Sequence, residues 1–159
     1  MQNIACLNLD EIQLLKHFNS KEKIVSVFYY YWINTSNPNE HYSFIDVIEL
    51  VFSDNTSLYF KLDDDDSGIT ITNLFEFDNY KTTVETEFQL KIMLKKTDVS
   101  GLEIWKSALL NPFLEITAIS EKGRFLSSTF WIDFKNKKIE LSFHPIEGLV
   151  VSEYEEILE

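Results

Sequence analysis

Apolar residues along this chain recur at two spacings, and each spacing is found in two separated places. Ile12, Leu15 and Phe18 fall at helical spacing, and so do Leu102, Trp105 and Leu109. Asp10 with Gln13, and Ser100 with Glu103, read as capping boxes ahead of these stripes. Asn19 and the pair Asn111-Pro112 supply stops, so the pattern predicts one helix near the start and another past the middle. After each helix the chemistry changes to that of strands. Residues 23–33 are rich in β-branched and aromatic types, and Ile45 to Phe52 is a second such run ending in the turn signal Ser53-Asp54-Asn55. Leu58, Phe60 and Leu62 then alternate with Tyr59 and Lys61, the period-two pattern of a half-buried antiparallel strand. Phe130 to Phe134, a turn at Lys135-Asn136-Lys137, and Ile139, Leu141 and Phe143 repeat the hairpin. Gly68 and Gly148 each lead into a further short strand, Ile69 to Ile71 and Leu149 to Val151.

The correspondence holds residue by residue. Glu11-Ile12, Phe18-Asn19, Ile24 and Val27 are matched 92 positions later by Glu103-Ile104, Leu110-Asn111, Ile116 and Ile119. Ile48, Leu50 and Phe52 answer Phe130, Ile132 and Phe134 at a slightly shorter offset. The expected fold class is therefore α+β: two pseudo-repeats, about 10–73 and 102–152, each one helix followed by an antiparallel β-meander, sharing one core in a single domain over 1–159. The core is expected either as a continuous sheet or as two sheets with the helices on one face. In the connecting segment, about 74–99, Phe88, Leu90, Ile92 and Leu94 alternate like a strand, whereas Val84, Phe88, Lys91 and Lys95 also fit a helix. Strand is the expectation here.

Charge narrows the partners. The chain carries 26 acidic against 14 basic residues, a formal net charge of -12. Nucleic-acid binding draws on Lys and Arg displacing counterions from phosphates, and an anionic membrane surface repels acids equally, so neither partner is expected. A basic protein would be steered toward such a surface. With one cysteine, Cys6, no internal disulfide can form, and a reducing cytoplasmic setting fits. The first residues show no basic n-region or apolar h-region, and no stretch approaches the roughly 20 apolar residues of a spanning helix.

Candidate chemistry is sparse. Asp63-Asp64-Asp65-Asp66-Ser67-Gly68 invites a calcium reading, but Leu74 stands where an EF-hand loop needs its bidentate Glu, and strands flank the run. A solvated acidic turn is the expected role; His144-Pro145-Ile146-Glu147-Gly148 replaces it in the second copy without the aspartates. His17, His41 and His144 lack metal-ligand spacing, and Cys6 has no basic neighbour to activate it. No phosphate loop, nucleophile elbow or dinucleotide fingerprint is present, so catalytic residues, cofactors and metals are all expected to be none. The run Phe28-Tyr29-Tyr30-Tyr31-Trp32 stands out. Alternation would place Phe28, Tyr30 and Trp32 in the core and turn Tyr29 and Tyr31 the other way, where rings among acids suit a protein interface, unless a neighbouring element covers both faces. Tyr29, Tyr31, Asp63, Asp64, Asp65 and Asp66 are the candidate partner-binding residues.

The helix with Trp105 and Leu109-Leu110, then Ile116 and Ile119, the hairpin through Ile132-Asp133-Phe134 and Leu141, and the closing Gly148-Leu149-Val150-Val151 together resemble small acidic bacterial immunity-type proteins of polymorphic or contact-dependent toxin systems. That resemblance implies a cytoplasmic, non-enzymatic protein that blocks a cognate toxin domain by binding it. The expected function is thus an acidic protein-binding module facing a basic toxin domain. The alternatives are a small-ligand or divalent-ion binding domain, or a self-associating structural or adaptor protein.

Overall fold

The computed structural model describes residues 6–36, 42–63 and 67–154. In chain order the elements are α1 (Leu9–Asn19), β1 (Ile24–Asn34), β2 (Tyr42–Phe52), β3 (Ser57–Leu62), β4 (Ile69–Thr72), α2 (Phe77–Glu87), β5 (Ile92–Asp98), α3 (Glu103–Leu109), β6 (Phe113–Glu121), β7 (Arg124–Phe134), β8 (Lys137–His144) and β9 (Gly148–Glu153). The fold is α+β, with every strand pairing antiparallel in one sheet. Its strands run β4-β3-β2-β9-β8-β7-β6, and β1 and β5 branch off at β2. The long strand β2 makes the branch possible. Val47–Val51 pair with β3, while Ile45, nearer the start of the strand, pairs with Leu149 of β9.

A helix followed by four strands occurs twice in the order of elements, but the two stretches are joined to the sheet differently. In the first, β1 takes β5 as an added neighbour; in the second, among the described residues, β6 pairs with β7 alone. The sheet curls so that both stretches contribute to one core. Phe60 meets Phe130 edge-on at 5.3 Å and Phe52 meets Phe113 at 5.6 Å. Leu15 and Phe18 of α1 and Trp105 and Ala108 of α3 fill the same interior. Alternation along the strands produces it: Leu58, Phe60, Phe130, Ile132, Ile139 and Leu141 are all wholly buried.

The two helices expected from the sequence, α1 and α3, both pack in the main core, while Val84 of a third helix, α2, joins Ile92, Leu94 and Trp32 in a smaller cluster. Three expectations are corrected. The segment 74–99 is helix and then strand. Phe88 and Leu90 belong to no strand, because Gln89 (φ 55°) and Leu90 (φ 64°) are both left-handed and turn the chain from α2 into β5. The cap of α1 is Asn8, whose Oδ1 accepts the Glu11 N–H at 2.8 Å while Glu11 reaches back to the Asn8 N–H, so the box starts two residues before Asp10. Finally, the N-cap of α3 is Leu102, which makes no side-chain capping bond. Ser100 accepts the Val27 N–H at 2.8 Å instead, tying the helix entrance to β1.

Among the described residues β4, β5 and β6 each pair on one side alone, and each is met by helix side chains. Asn19 donates to and accepts from the Ile116 backbone on β6, at 2.9 and 2.7 Å. Glu11 accepts the Ile71 N–H of β4 at 3.0 Å. On β5, Glu85 accepts the Leu94 N–H at 3.1 Å and Lys81 donates to the Leu94 carbonyl at 3.0 Å, the two side chains also pairing with each other. An exposed strand edge is a template for another chain, and these contacts occupy part of each one.

Candidate interaction surface

Strand β1 is covered on both sides, which decides the roles of its tyrosines. Neighbouring elements cover both faces, the alternative the sequence left open. Tyr29 lies in the main core at 4% exposure, its hydroxyl accepting the Trp105 indole N–H at 2.6 Å, and Tyr31 packs edge-on against it at 6.0 Å. Burial pushes the Tyr29 phenol up to about 12. Tyr30 faces the other way and is also buried, between Phe75, Phe77 and Glu49. Both placements follow from the register. Tyr30 pairs with Val47 and Tyr31 with Ile45, a bulge that leaves Asp46 as the extra residue of β2.

Glu49 is one of two acids in the apolar run of β2, and like Asp46 it is buried. Its carboxylate accepts the Tyr30 hydroxyl and the Ser57 hydroxyl, each at 2.6 Å, and the Lys96 ammonium lies 3.6 Å away. Three partners satisfy a charge that would otherwise be costly so far from water. Burial first, and then the bond to Glu49, drive the Tyr30 phenol far above its ordinary value. Lys96 in turn lies over the Phe28 ring at 4.5 Å. This constellation is saturated by its own members.

The aromatic surface lies at the far end of β1 and β2. Trp32 stacks on Phe44 at 5.7 Å, Phe44 meets Tyr42 at 6.0 Å, and Phe88 closes on Trp32 edge-on at 5.0 Å. Trp32, Tyr42 and Phe44 line an open groove of about 410 Å³ together with Leu62, Pro145 and Ile146. Tyr42 is 44% exposed, Phe88 42% and Ile146 67%. The groove sits where the two meanders meet, at the Ile45–Leu149 pairing.

Gly148 builds its floor. At φ +75° it is left-handed, and a Cβ there would stand 2.6 Å from Phe44 Cδ2 and 2.8 Å from the Ile45 carbonyl oxygen. The preceding turn is held by His144, whose Nδ1 accepts the Ile146 and Glu147 N–H groups at 3.2 and 3.3 Å. Gly148→Ala is therefore expected to cost about 2–3 kcal/mol in urea unfolding, from combined strain and contact. Gly101→Ala, where a Cβ meets nothing within 4 Å, is the matched control and should stay within about 0.5 kcal/mol. Equal effects at the two glycines would remove the claim that Gly148 sets the floor.

Of the residues proposed from the sequence, Tyr29 is buried in the core and Tyr31 is half-buried against it. Asp63 follows Leu62 at the edge of the groove, its carboxylate accepting the Thr70 and Ser67 hydroxyls. Asp63 and the two tyrosines are not brought together, since β2 lies between β1 and β3. Asp64, Asp65, Asp66 and His41 lie outside the described residues. Among the described residues no group of three or more His, Cys, Asp or Glu side chains is placed to hold a metal ion, and no helix is long and apolar enough to cross a membrane. The sequence reading passed over Tyr42, Phe44 and Ile146. The available signal was Phe44, which extends the β2 run by one residue beyond Ile45. Comparison with protein-family models, curated proteins and solved structures gave no match.

Proposed function

We propose that this chain is an acidic, non-enzymatic protein-binding module of immunity type, acting in the cytoplasm of a bacterial cell by binding a basic toxin domain. The observation that carries the reading is the formal charge of -12 on 159 residues. A field of that sign draws a cationic protein in and turns phosphate polymers away. On this reading the two helix-and-meander stretches are copies of one duplicated unit, and the partner is masked by contact with no reaction taking place.

The test is capture of partners by the tagged protein from lysate of its source cells, eluted in steps of rising salt. The expected result is one stoichiometric basic protein released as salt increases. With both proteins purified, the association rate should fall at least about tenfold between low and physiological ionic strength, as screening shortens the reach of the field. A tight partner whose association ignores salt would overturn the electrostatic reading.

A further inference from the structure

Three ring pairs in this protein already hold a cation. Lys61 lies over Phe75 and Tyr80, at 5.6 and 5.1 Å, and Lys96 over Phe28 and Tyr30, at 4.5 and 5.6 Å. Lys138 lies over Trp131 and Tyr154, at 5.1 and 5.3 Å. The row Tyr42, Phe44, Trp32 is built alike, from rings stacked or tilted within 6.0 Å of one another. Tyr42 in it is 44% exposed, and among the described residues no lysine or arginine of the chain sits on it. A ring face attracts a cation through its quadrupole, and a weakly hydrated guanidinium stacks there most readily. Beside the rings, Ile146 and Leu62 offer apolar contact.

Resting on the protein-binding reading above, we propose that this groove is where the partner docks. Its occupant is a segment of a basic protein that lays an arginine or lysine against Tyr42 and Trp32 and sets a neighbouring apolar side chain against Ile146. Charge complementarity selects this occupant. A second copy of the chain would bring another formal charge of -12 against the first, which opposes self-association. Asp63 and Glu147 belong to the segments bordering the groove and add to its preference for a cation. Exposed aromatic anchors at the centre of a patch are also the residue types that carry most of the free energy in protein interfaces. The groove is preformed, because Gly148 and the His144 turn fix its floor and rim.

The experiment uses the whole chain and short synthetic probe peptides, followed by amide-resolved NMR. One peptide alternates arginine with leucine, and its controls carry serine or glutamate in place of arginine. The arginine peptide is expected to shift the Trp32 indole and the Phe44 and Ile146 amides saturably, with the controls leaving them in place. Tyr42→Ala and Ile146→Ala, both at exposed positions, should weaken that binding about tenfold with the rest of the spectrum unchanged. Shifts spread over the acidic surface with the groove unmoved would overturn the docking site and leave the charge reading standing. Failure of the arginine peptide to bind anywhere at millimolar concentration would remove both. Equal shifts from the serine peptide would overturn the cation, and groove shifts that grow with protein concentration alone would make a second copy the occupant.

Discussion

Replacing Trp105 with alanine is expected to destabilise the fold by about 3–5 kcal/mol, enough to leave a domain of ordinary stability partly unfolded. The indole is wholly buried in the main core, and its N–H is donated to the Tyr29 hydroxyl at 2.6 Å. Removing it opens a ring-sized cavity and leaves a buried hydroxyl without its donor. Two milder variants separate these costs. Trp105→Phe keeps most of the packing, and Tyr29→Phe keeps all of it but leaves the indole N–H unpaired. Each is expected to cost about 1–3 kcal/mol. Urea midpoints at neutral pH measure all three. A Trp105→Ala protein within 1 kcal/mol of the parent, by the same scale, would mean that α3 is not anchored through this side chain.

Alkaline unfolding should be unusually steep. Burial holds the Tyr29 phenol up at about 12, and moves the Tyr30 and Tyr59 phenols in the same direction. Below the ordinary phenol value of about 10, folded and unfolded chains both keep these protons, and the contribution to stability is fully present. As pH rises past 10 the unfolded chain gives them up and the folded chain does not, so stability is lost. Each retained proton contributes a slope of about 1.4 kcal/mol per pH unit, so Tyr29 and Tyr30 together give a slope of about 3 kcal/mol per pH unit above pH 10. Urea midpoints at stepped alkaline pH should fall accordingly, with tyrosinate absorbance appearing together with unfolding. Tyr30→Phe should shallow the slope. Tyrosinate forming while the fold persists would contradict the burial of these groups.

Where periodicity and burial coincide, the sequence was readable. Leu58 and Phe60 alternate with Tyr59 because β3 has one dry face, and the matching hairpin of β7 and β8 was legible for the same reason. Legibility failed where both faces are covered. Tyr29 and Tyr30 are nearly equally buried, so a run of five aromatics gives no phase from which to choose a face. It failed again at 88–94, where an apolar alternation runs straight through the left-handed turn at Gln89 and Leu90. The groove was invisible for a different reason. Trp32, Tyr42, Leu62 and Ile146 come from four parts of the chain, and the pairing of β2 with β1, β3 and β9 assembles them. The acidic run lies next to the groove in sequence, Asp63 following Leu62, while of the two tyrosines Tyr29 is buried in the core and Tyr31 half-buried against it.

The order of the sheet has a consequence in time. Its path begins at β4 and ends at β6, and α1 is bonded to both ends, through Glu11 to Ile71 and through Asn19 to Ile116. Of the three helices described, α1 is made earliest and acts as the stave that closes the curl, yet Asn19 meets its partner only 97 residues later. Until β6 has been synthesised, α1 has half of its seat, and β4 has its outer edge guarded by a helix not yet locked in place. Closure of so long a loop is slow compared with local hairpin formation. The first meander must therefore persist as an unfinished sheet through much of synthesis, and a chain stalled before Ile116 would present open strands to its neighbours on the same messenger.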